Sequence, residues 1–472
     1  MDAAQRRRLV PPGGEVCVVG GGTTGLLAAK ACLDEGLVPT VYERTGRVGG
    51  VWRLDGEASR VAYESLYTNS SGCLMNISDY PLDASLQDRF PGRGDICAYY
   101  EGYARRFGLE PHLRLGTEVS AVRRRGARWA VAAAPSGGGP GEEREFDAVF
   151  VCTGQFRAPR APDLPGADAF RGRIRHSAAY RSPAGLQGRR VVIVGIGNSA
   201  LDISLEAARS GCESVTVLCR SGTTVVPVAD HEGQPIDQLL NTRLFSSLPA
   251  LVRNLCFYRV VSGTTQAFAR HGMPPPPSSR KAMGFANLKE HIAYRRLLEA
   301  GRIRFAAGGV AGVGARSVRT TEGEELEADE IILCTGYHLD FPFLDPSLAE
   351  DFFATSQGRR YLNAYKLVMH PKEPTLCALG FLLTFGNESC VGELQARWAL
   401  AHWAGRCPLP PGDAVEADVD RRRRKGLKYP MFTNYVAYMD DLARACGAAP
   451  EVSWRTLLRS PHLFWRLWTA PA

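Results

Sequence analysis

Val18-Val19-Gly20-Gly21-Gly22-Thr23-Thr24-Gly25, read together with Val191-Val192-Ile193-Val194-Gly195-Ile196-Gly197-Asn198-Ser199-Ala200, decides the fold of this chain. Each stretch runs from an apolar strand through a glycine turn into a helix. In such a turn the first glycine makes the bend, the second lets the main chain approach a pyrophosphate, and the third position lets the helix pack on its strand. One string of this kind arises by chance. Here each is answered downstream by an apolar strand ending in Cys-Thr-Gly: Val149 to Cys152 before Thr153-Gly154, and Ile331 to Cys334 before Thr335-Gly336. The pattern predicts an α/β chain with two doubly wound, Rossmann-like domains, each binding a dinucleotide, so that electrons pass from one to the other.

The two units differ at the position that reads the adenosine ribose. In the first, the strand Val38 to Glu43 ends in an acid 18 residues beyond Gly25, placed to accept ribose hydroxyls and to repel a 2′-phosphate. That fits FAD. Gly46 to Trp52 follows, and its paired glycines allow close approach of the main chain to pyrophosphate or flavin, which makes Gly50 and Trp52 candidates. In the second unit, Ser214 to Leu218 leads into Cys219-Arg220, and an arginine there pairs with a 2′-phosphate. That fits NADPH. The predicted cofactor contacts are Gly20, Gly22, Gly25, Glu43, Gly50, Trp52, Thr153, Gly154, Gly195, Gly197, Asn198, Ser199, Ala200, Arg220, Thr335 and Gly336.

Expected organisation follows from the repeat. Residues 1–14 read as a disordered tail, 15–180 as the first part of the FAD domain, 181–336 as an inserted NADPH domain, and 337–472 as the rest of the FAD domain with a C-terminal cap. The proline-rich stretch from Arg157 to Pro183 reads as a crossover linker, Ala134 to Gly141 as a hairpin tip, and Leu239 to Ala282 as short helices over the insert.

Bulk properties exclude several classes. At 472 residues the chain is long enough for two or three domains with a substantial core. The net charge of +8 reads as a solvated basic surface, and the Arg421 to Lys425 run lacks the aromatic or base-reading context of a nucleic-acid site. The 13 cysteines show neither Cys-x-x-Cys nor metal-ligand spacing, which points to reduced thiols in a cytoplasmic setting and argues against both a dithiol reductase and a metal site. No apolar run reaches the roughly 20 residues of a membrane span, and the N-terminus does not read as a secretory signal. The tail from Trp454 to Trp468 mixes aromatics, leucines and arginines. It reads as packing onto the body of the protein, with peripheral membrane contact and a homodimer left open.

Phe170-Arg171-Gly172-Arg173-Ile174-Arg175-His176-Ser177-Ala178-Ala179-Tyr180 resembles the Phe-x-Gly-x-x-x-His-x-x-x-(Tyr/Phe) signature of the flavin-containing monooxygenases, and it lies between the two turns as in that family. Glu64 to Met75 with Asp79-Tyr80-Pro81, then Cys334 to Leu344, then Glu393-Leu394-Gln395-Ala396-Arg397-Trp398 resemble further family segments. Gln155, where histidine is frequent, and Cys390, where proline is common, depart from the pattern. The resemblance implies that NADPH reduces FAD, that dioxygen forms a C4a-hydroperoxyflavin, and that a soft sulfur or nitrogen of a small thioether or amine takes the distal oxygen. It implies that Asn69, assisted by Ser70, acts at the flavin edge, that Gln395 lies on a helix lining the flavin, and that His176 organises the domain connection rather than catalysing. Baeyer–Villiger or specialised N-hydroxylating oxygenation, and a non-oxygenating redox-sensing flavoprotein, are the other functions compatible with these residues.

Overall fold

The computed structural model describes residues 8–54, 61–230, 232–277, 285–407, 411–424 and 431–471. Strand β1 (Glu15–Val19) enters the first glycine turn, and α1 (Thr23–Asp34) leaves it; β2 (Val38–Glu43), β3 (Leu113–Leu115) and β4 (Ala148–Val151) follow. Next come β5 (Arg173–His176), β6 (Arg190–Val194), α2 (Asn198–Arg209), β7 (Ser214–Cys219), α3 (Ala250–Arg270), β8 (Ile303–Ala307) and β9 (Glu330–Leu333). The chain closes with β10 (Leu376–Ala378), α4 (Glu388–Trp403), α5 (Tyr435–Ala445), α6 (Trp454–Arg459) and α7 (Pro461–Thr469).

Two five-stranded parallel sheets result, in the orders β10-β4-β1-β2-β3 and β8-β7-β6-β9-β5. Their inner strands are runs of Val, Ile and Leu buried on both faces, as parallel sheets covered by helices require. β10 pairs with β4, so the chain returns to its first sheet after completing the second. The predicted insertion therefore holds as topology. The hairpin expected around Ala134 to Gly141 is also present, joining antiparallel Arg128–Pro135 and Glu142–Phe146.

Three expectations need correction. The stretch read as a linker contains β5, which adds an edge strand to the second sheet, so that unit begins near residue 173 rather than 181. The reason is electrostatic: Glu330 on β9 is fully buried, and Arg173 and Arg175 of β5 meet it at 2.9 Å and 2.6 Å. Residues 8–14 are not a loose tail. Val10 is buried in the first core, and the Leu9 N–H donates to the Trp403 carbonyl at 2.8 Å. Residues 1–7 lie outside the described residues. Finally, the segment after Leu239 is dominated by one 21-residue helix, α3, which leaves Leu251 80% exposed; residues 278–282 of that stretch lie outside the described residues.

The C-terminal segment does pack onto the body. Arg243 Nη1 donates to the Leu467 carbonyl at 3.1 Å, and Thr242 bridges to Pro471. Among the described residues, no helix is long and apolar enough to cross a membrane. Of the arginine run, Arg421 and Arg424 are exposed on the helix Gly412–Arg424, beside Asp418 and Asp420; Lys425 lies outside the described residues.

Candidate active site

Both glycine turns bend the chain back at the carboxyl edge of a parallel sheet. Gly20 has φ +112° and Gly195 φ +124°, values that side-chain-bearing residues rarely adopt. A Cβ at Gly20 would lie 2.5 Å from the Cys152 carbonyl, and one at Gly195 would lie 2.3 Å from that of Cys334. Each Cys-Thr-Gly strand end is thus packed directly against its turn. Gly25 is tighter still, 1.8 Å from the Gly20 carbonyl for a hypothetical Cβ, whereas Ala200 fits at the equivalent place in the second unit, fully buried.

The helices leaving these turns start at Gly22 and Gly197, and neither start is capped by a side chain. The N–H groups of Thr23, Thr24, Asn198 and Ser199 have no partner among the described residues, and the helix dipole adds positive potential there, the arrangement that holds an anionic phosphate. Between the two helix starts lies one cavity of about 710 Å³. Gly20, Gly22, Glu43, Gly50, Trp52, Thr153 and Gly154 line its first end, and Gly197, Asn198, Ser199 and Gly336 line the second. Asn69 and Ser70 line it as well.

Individual groups are poised in different ways. The Thr153 hydroxyl is buried with no hydrogen-bond partner among the described residues. Glu43 accepts from Gly21 N–H at 2.7 Å, and from Thr45 N–H and hydroxyl at 2.8 and 2.7 Å. A carboxylate offers about four lone-pair sites, so taking both hydroxyls of a ribose requires Thr45 to release one bond. The backbone around Asn69 is fixed: Thr68 N–H donates to Pro91, the Thr68 hydroxyl to the Ser70 carbonyl, and Ser71 N–H to Asp237 Oδ2 at 2.7 Å. Burial pushes the Asp237 carboxyl up while the Ser71 N–H pulls it down, and its Oδ1 is buried with no partner among the described residues.

Some predicted contacts fall elsewhere. Arg220 is exposed just past β7 and does not line the cavity; neither do Gly25, Gly195, Ala200 and Thr335. Gln395 is fully buried, its carbonyl accepting from Gly380 N–H at 2.8 Å and its amide donating to the Tyr438 hydroxyl at 2.9 Å. It ties α4 beneath Gly380, which does line the cavity, rather than lining the cavity itself. His176 Nδ1 accepts from Ala178 N–H at 3.0 Å, so Nε2 carries the proton and donates to the Gly336 carbonyl at 3.1 Å. Burial lowers its basicity. These bonds join β5 to the second Cys-Thr-Gly, which is a connecting role. Of the two departures, Gln155 lines the cavity, whereas Cys390 donates to the Leu74 and Asn76 carbonyls at 3.2 and 3.1 Å and lies outside it.

Sequence reasoning missed Asp237, Asp202, Lys289 and Glu388, all of which line the cavity. Only Glu388 carried a sequence signal, as an acid just ahead of the segment containing Gln395.

The sequence profile of the FMO-like family, described as flavin-binding monooxygenase-like, matches residues 13–472. The chain belongs to this family. It is therefore a flavoprotein monooxygenase, an oxidoreductase. Flavin-containing monooxygenase 2 of Homo sapiens is 31% identical over 477 residues, covering 97% of this chain and 87% of the relative. Dimethylaniline monooxygenase (N-oxide-forming) 2 of Mus musculus is 32% identical over 479 residues with the same coverage. Among solved structures, S-allyl-L-cysteine S-oxygenase of Allium sativum superposes with a TM-score of 0.66 at 24% identity, over 96% of this chain and 95% of that one. Cyclohexanone monooxygenase in its open form gives 0.65 at 19% identity, over 92% and 98%. At these identities the structures speak for the fold: two dinucleotide domains, one inserted into the other.

Proposed function

We propose that this monooxygenase uses NADPH and dioxygen to oxygenate a soft sulfur or nitrogen of a small molecule. The observation that carries the reading is the single cavity joining the uncapped starts of α1 and α2. On this reading the N–H groups at Gly22 take the FAD pyrophosphate, Glu43 takes the ribose, and the unpartnered Thr153 hydroxyl finds its partner on the cofactor. Gly197, Asn198 and Ser199 take the NADPH pyrophosphate, and Arg220, exposed at the sheet edge, pairs with the 2′-phosphate. Bound FAD, once reduced by NADPH, supplies the oxygen-activating chemistry.

The protein's own task is to orient, to donate hydrogen bonds and to keep water out. Asn69 has a side chain with no partner among the described residues, on a backbone pinned from three sides, so its amide is free to donate to the activated oxygen. Such a donor retains the oxygen for the nucleophile instead of losing it as hydrogen peroxide. No acid–base triad is needed for this chemistry, because the nucleophile attacks directly.

The test is product analysis of the purified yellow protein with NADPH, oxygen and, in turn, a thioether, a tertiary amine and a cyclic ketone. Sulfoxide and N-oxide formed in proportion to NADPH consumed support the reading. Lactone as the main product points to Baeyer–Villiger chemistry, and NADPH consumed only to peroxide with all three points to a non-oxygenating flavoprotein.

A further inference from the structure

Five carboxylates line the cavity; two are ion-paired and two accept backbone N–H bonds. Glu43 holds the first turn, Glu118 pairs with Arg157 at 2.8 Å, Asp202 pairs with Lys289 at 2.9 Å, and Asp237 takes the Ser71 N–H. Glu388 is the fifth. It stands at the start of α4, directly after the capping Asn387, and its Oε1 accepts only a 3.3 Å bond from the neutral Gln155 amide. It makes no ion pair among the described residues. Burial pushes its carboxyl up to about 7, with the Gln155 bond opposing. Tyr100, whose hydroxyl meets Ser389 Oγ at 2.8 Å, lies within its electrostatic reach. The cations elsewhere on the cavity wall, Lys289, Arg157 and Arg44, are all engaged by other groups.

A second feature lines the same cavity. Phe285, Phe385 and Phe432 line the cavity as a cluster of rings, with centroids 5.1 Å apart for Phe285–Phe385, 5.3 Å for Phe385–Phe432 and 5.7 Å for Phe285–Phe432. Phe385 lies on the same short segment as Glu388. The cluster is held in place by backbone bonds from Leu383 N–H to the Met431 carbonyl and from Thr433 N–H to the Leu383 carbonyl. An unpaired carboxylate in a partly dry site costs free energy that an incoming cation recovers. Aromatic faces attract the same cation through their quadrupoles and accommodate its alkyl part.

We propose that Glu388 and the Phe285–Phe385–Phe432 wall form a subsite for an organic ammonium group, so that this enzyme prefers nucleophilic substrates carrying a separate cationic nitrogen. The proposal rests on the monooxygenase reading and names the substrate class within it. The ammonium is the handle; the sulfur or second nitrogen is the atom oxygenated. Gln155 belongs to the subsite as the donor that orients the carboxylate.

The test uses two thioethers of matched size, 2-(phenylthio)ethylamine, cationic at neutral pH, and the uncharged 2-(phenylthio)ethanol. In the wild-type holoenzyme near pH 8, kcat/KM for the ammonium compound exceeds that for the alcohol about tenfold or more, mainly through KM. That ratio falls toward unity as pH drops through the carboxyl's titration, because a neutral acid no longer pairs with the cation. Glu388→Gln abolishes most of the preference at every pH, and Glu388→Asp retains part of it. A wild-type ratio near one, or a ratio unchanged in Glu388→Gln, overturns the subsite. Equilibrium dialysis of the same ammonium compound against both proteins reads the subsite without turnover, and equal binding overturns it too. If neither thioether is oxygenated while Glu388-dependent ammonium binding persists, the reading of sulfur and nitrogen oxygenation fails and the subsite stands.

Discussion

A single position separates the two dinucleotide units: Glu43 ends β2, whereas Cys219 ends β7 and Arg220 follows it. Glu43 already accepts three hydrogen bonds, so it is oriented in advance of any ligand. Arg220 is exposed and makes no ion pair among the described residues, so it is free to meet a 2′-phosphate. Arg220→Ala is expected to raise KM for NADPH about 10-fold, the worth of one charge-assisted contact, and to leave that for NADH nearly unchanged. Steady-state kinetics with both coenzymes check this; equal changes remove Arg220 from the phosphate site. Asn69→Ala is expected to keep FAD bound and to convert oxygenation into peroxide release, read as the ratio of peroxide formed to NADPH consumed. Glu388 makes a third prediction, about stability. Its carboxyl titrates near 4.5 when unfolded and about 7 in the folded protein, so between those values the folded state holds a proton that the unfolded state has lost. Stability is therefore full below the lower value and declines as pH rises to the upper one. Glu388→Gln removes that decline: it is expected to stabilise by on the order of 1–3 kcal/mol above pH 7 and by nothing below pH 4.5, as read from melting curves. At this scale the sequence speaks where a residue's neighbours in the chain define its setting, as for Glu43 at the end of β2. It is silent on Gln395, whose amide is engaged by Gly380, Leu367 and Tyr438, contacts from distant parts of the chain.

At the scale of elements, α1 and α4 pack so closely that small residues are obligatory. A Cβ at Gly392, inside α4, would lie 2.8 Å from Thr24 Cγ2, and one at Gly380 would meet the same methyl at 2.8 Å. Replacing a mid-helix glycine by alanine normally gains up to about 1 kcal/mol, but overpacking a tight contact costs about 1–3 kcal/mol. Gly392→Ala is therefore expected to destabilise, and to loosen FAD, because the displaced Thr24 stands at the start of α1 on the cavity wall. A lower melting temperature and lower flavin content after gel filtration bear this out; a more stable protein refutes the packing argument. Elements were legible when their apolar residues were buried in a regular pattern, as in the inner strands of both sheets. α3 shows the converse. Its buried residues are Val261 and Phe268, while Leu251, Leu255 and Tyr258 are exposed, so no clear apolar face marked a 21-residue helix in advance. β5 was hidden for another reason. Its residues are basic because they serve Glu330, and a strand with that composition does not read as one.

Across the whole molecule, the first sheet is assembled from both ends of the chain. β10 pairs with β4, and α4 covers α1, although the second unit intervenes in sequence. A chain cut after Gly336 keeps both glycine turns but loses β10, α4 and Gly380. It is expected to lose cooperative unfolding of the first unit and to retain no FAD, as measured by thermal melts and flavin absorbance. The site also depends on contacts between units. Tyr63 and Ser65, close upstream of Asn69, bond to Asp202 and Glu206 of α2, and Ser71 bonds to Asp237. The segment that carries Asn69 is thus held partly by the second unit. By itself the sequence determined the two turns, their answering strands, the acid-versus-arginine difference and the insertion, because these are local patterns set by backbone sterics and strand burial. Only the tertiary structure decided that Asn69, Glu388 and the phenylalanine wall share one cavity, because residues 69, 285, 388 and 432 meet through long-range packing to which local chain geometry gives no clue.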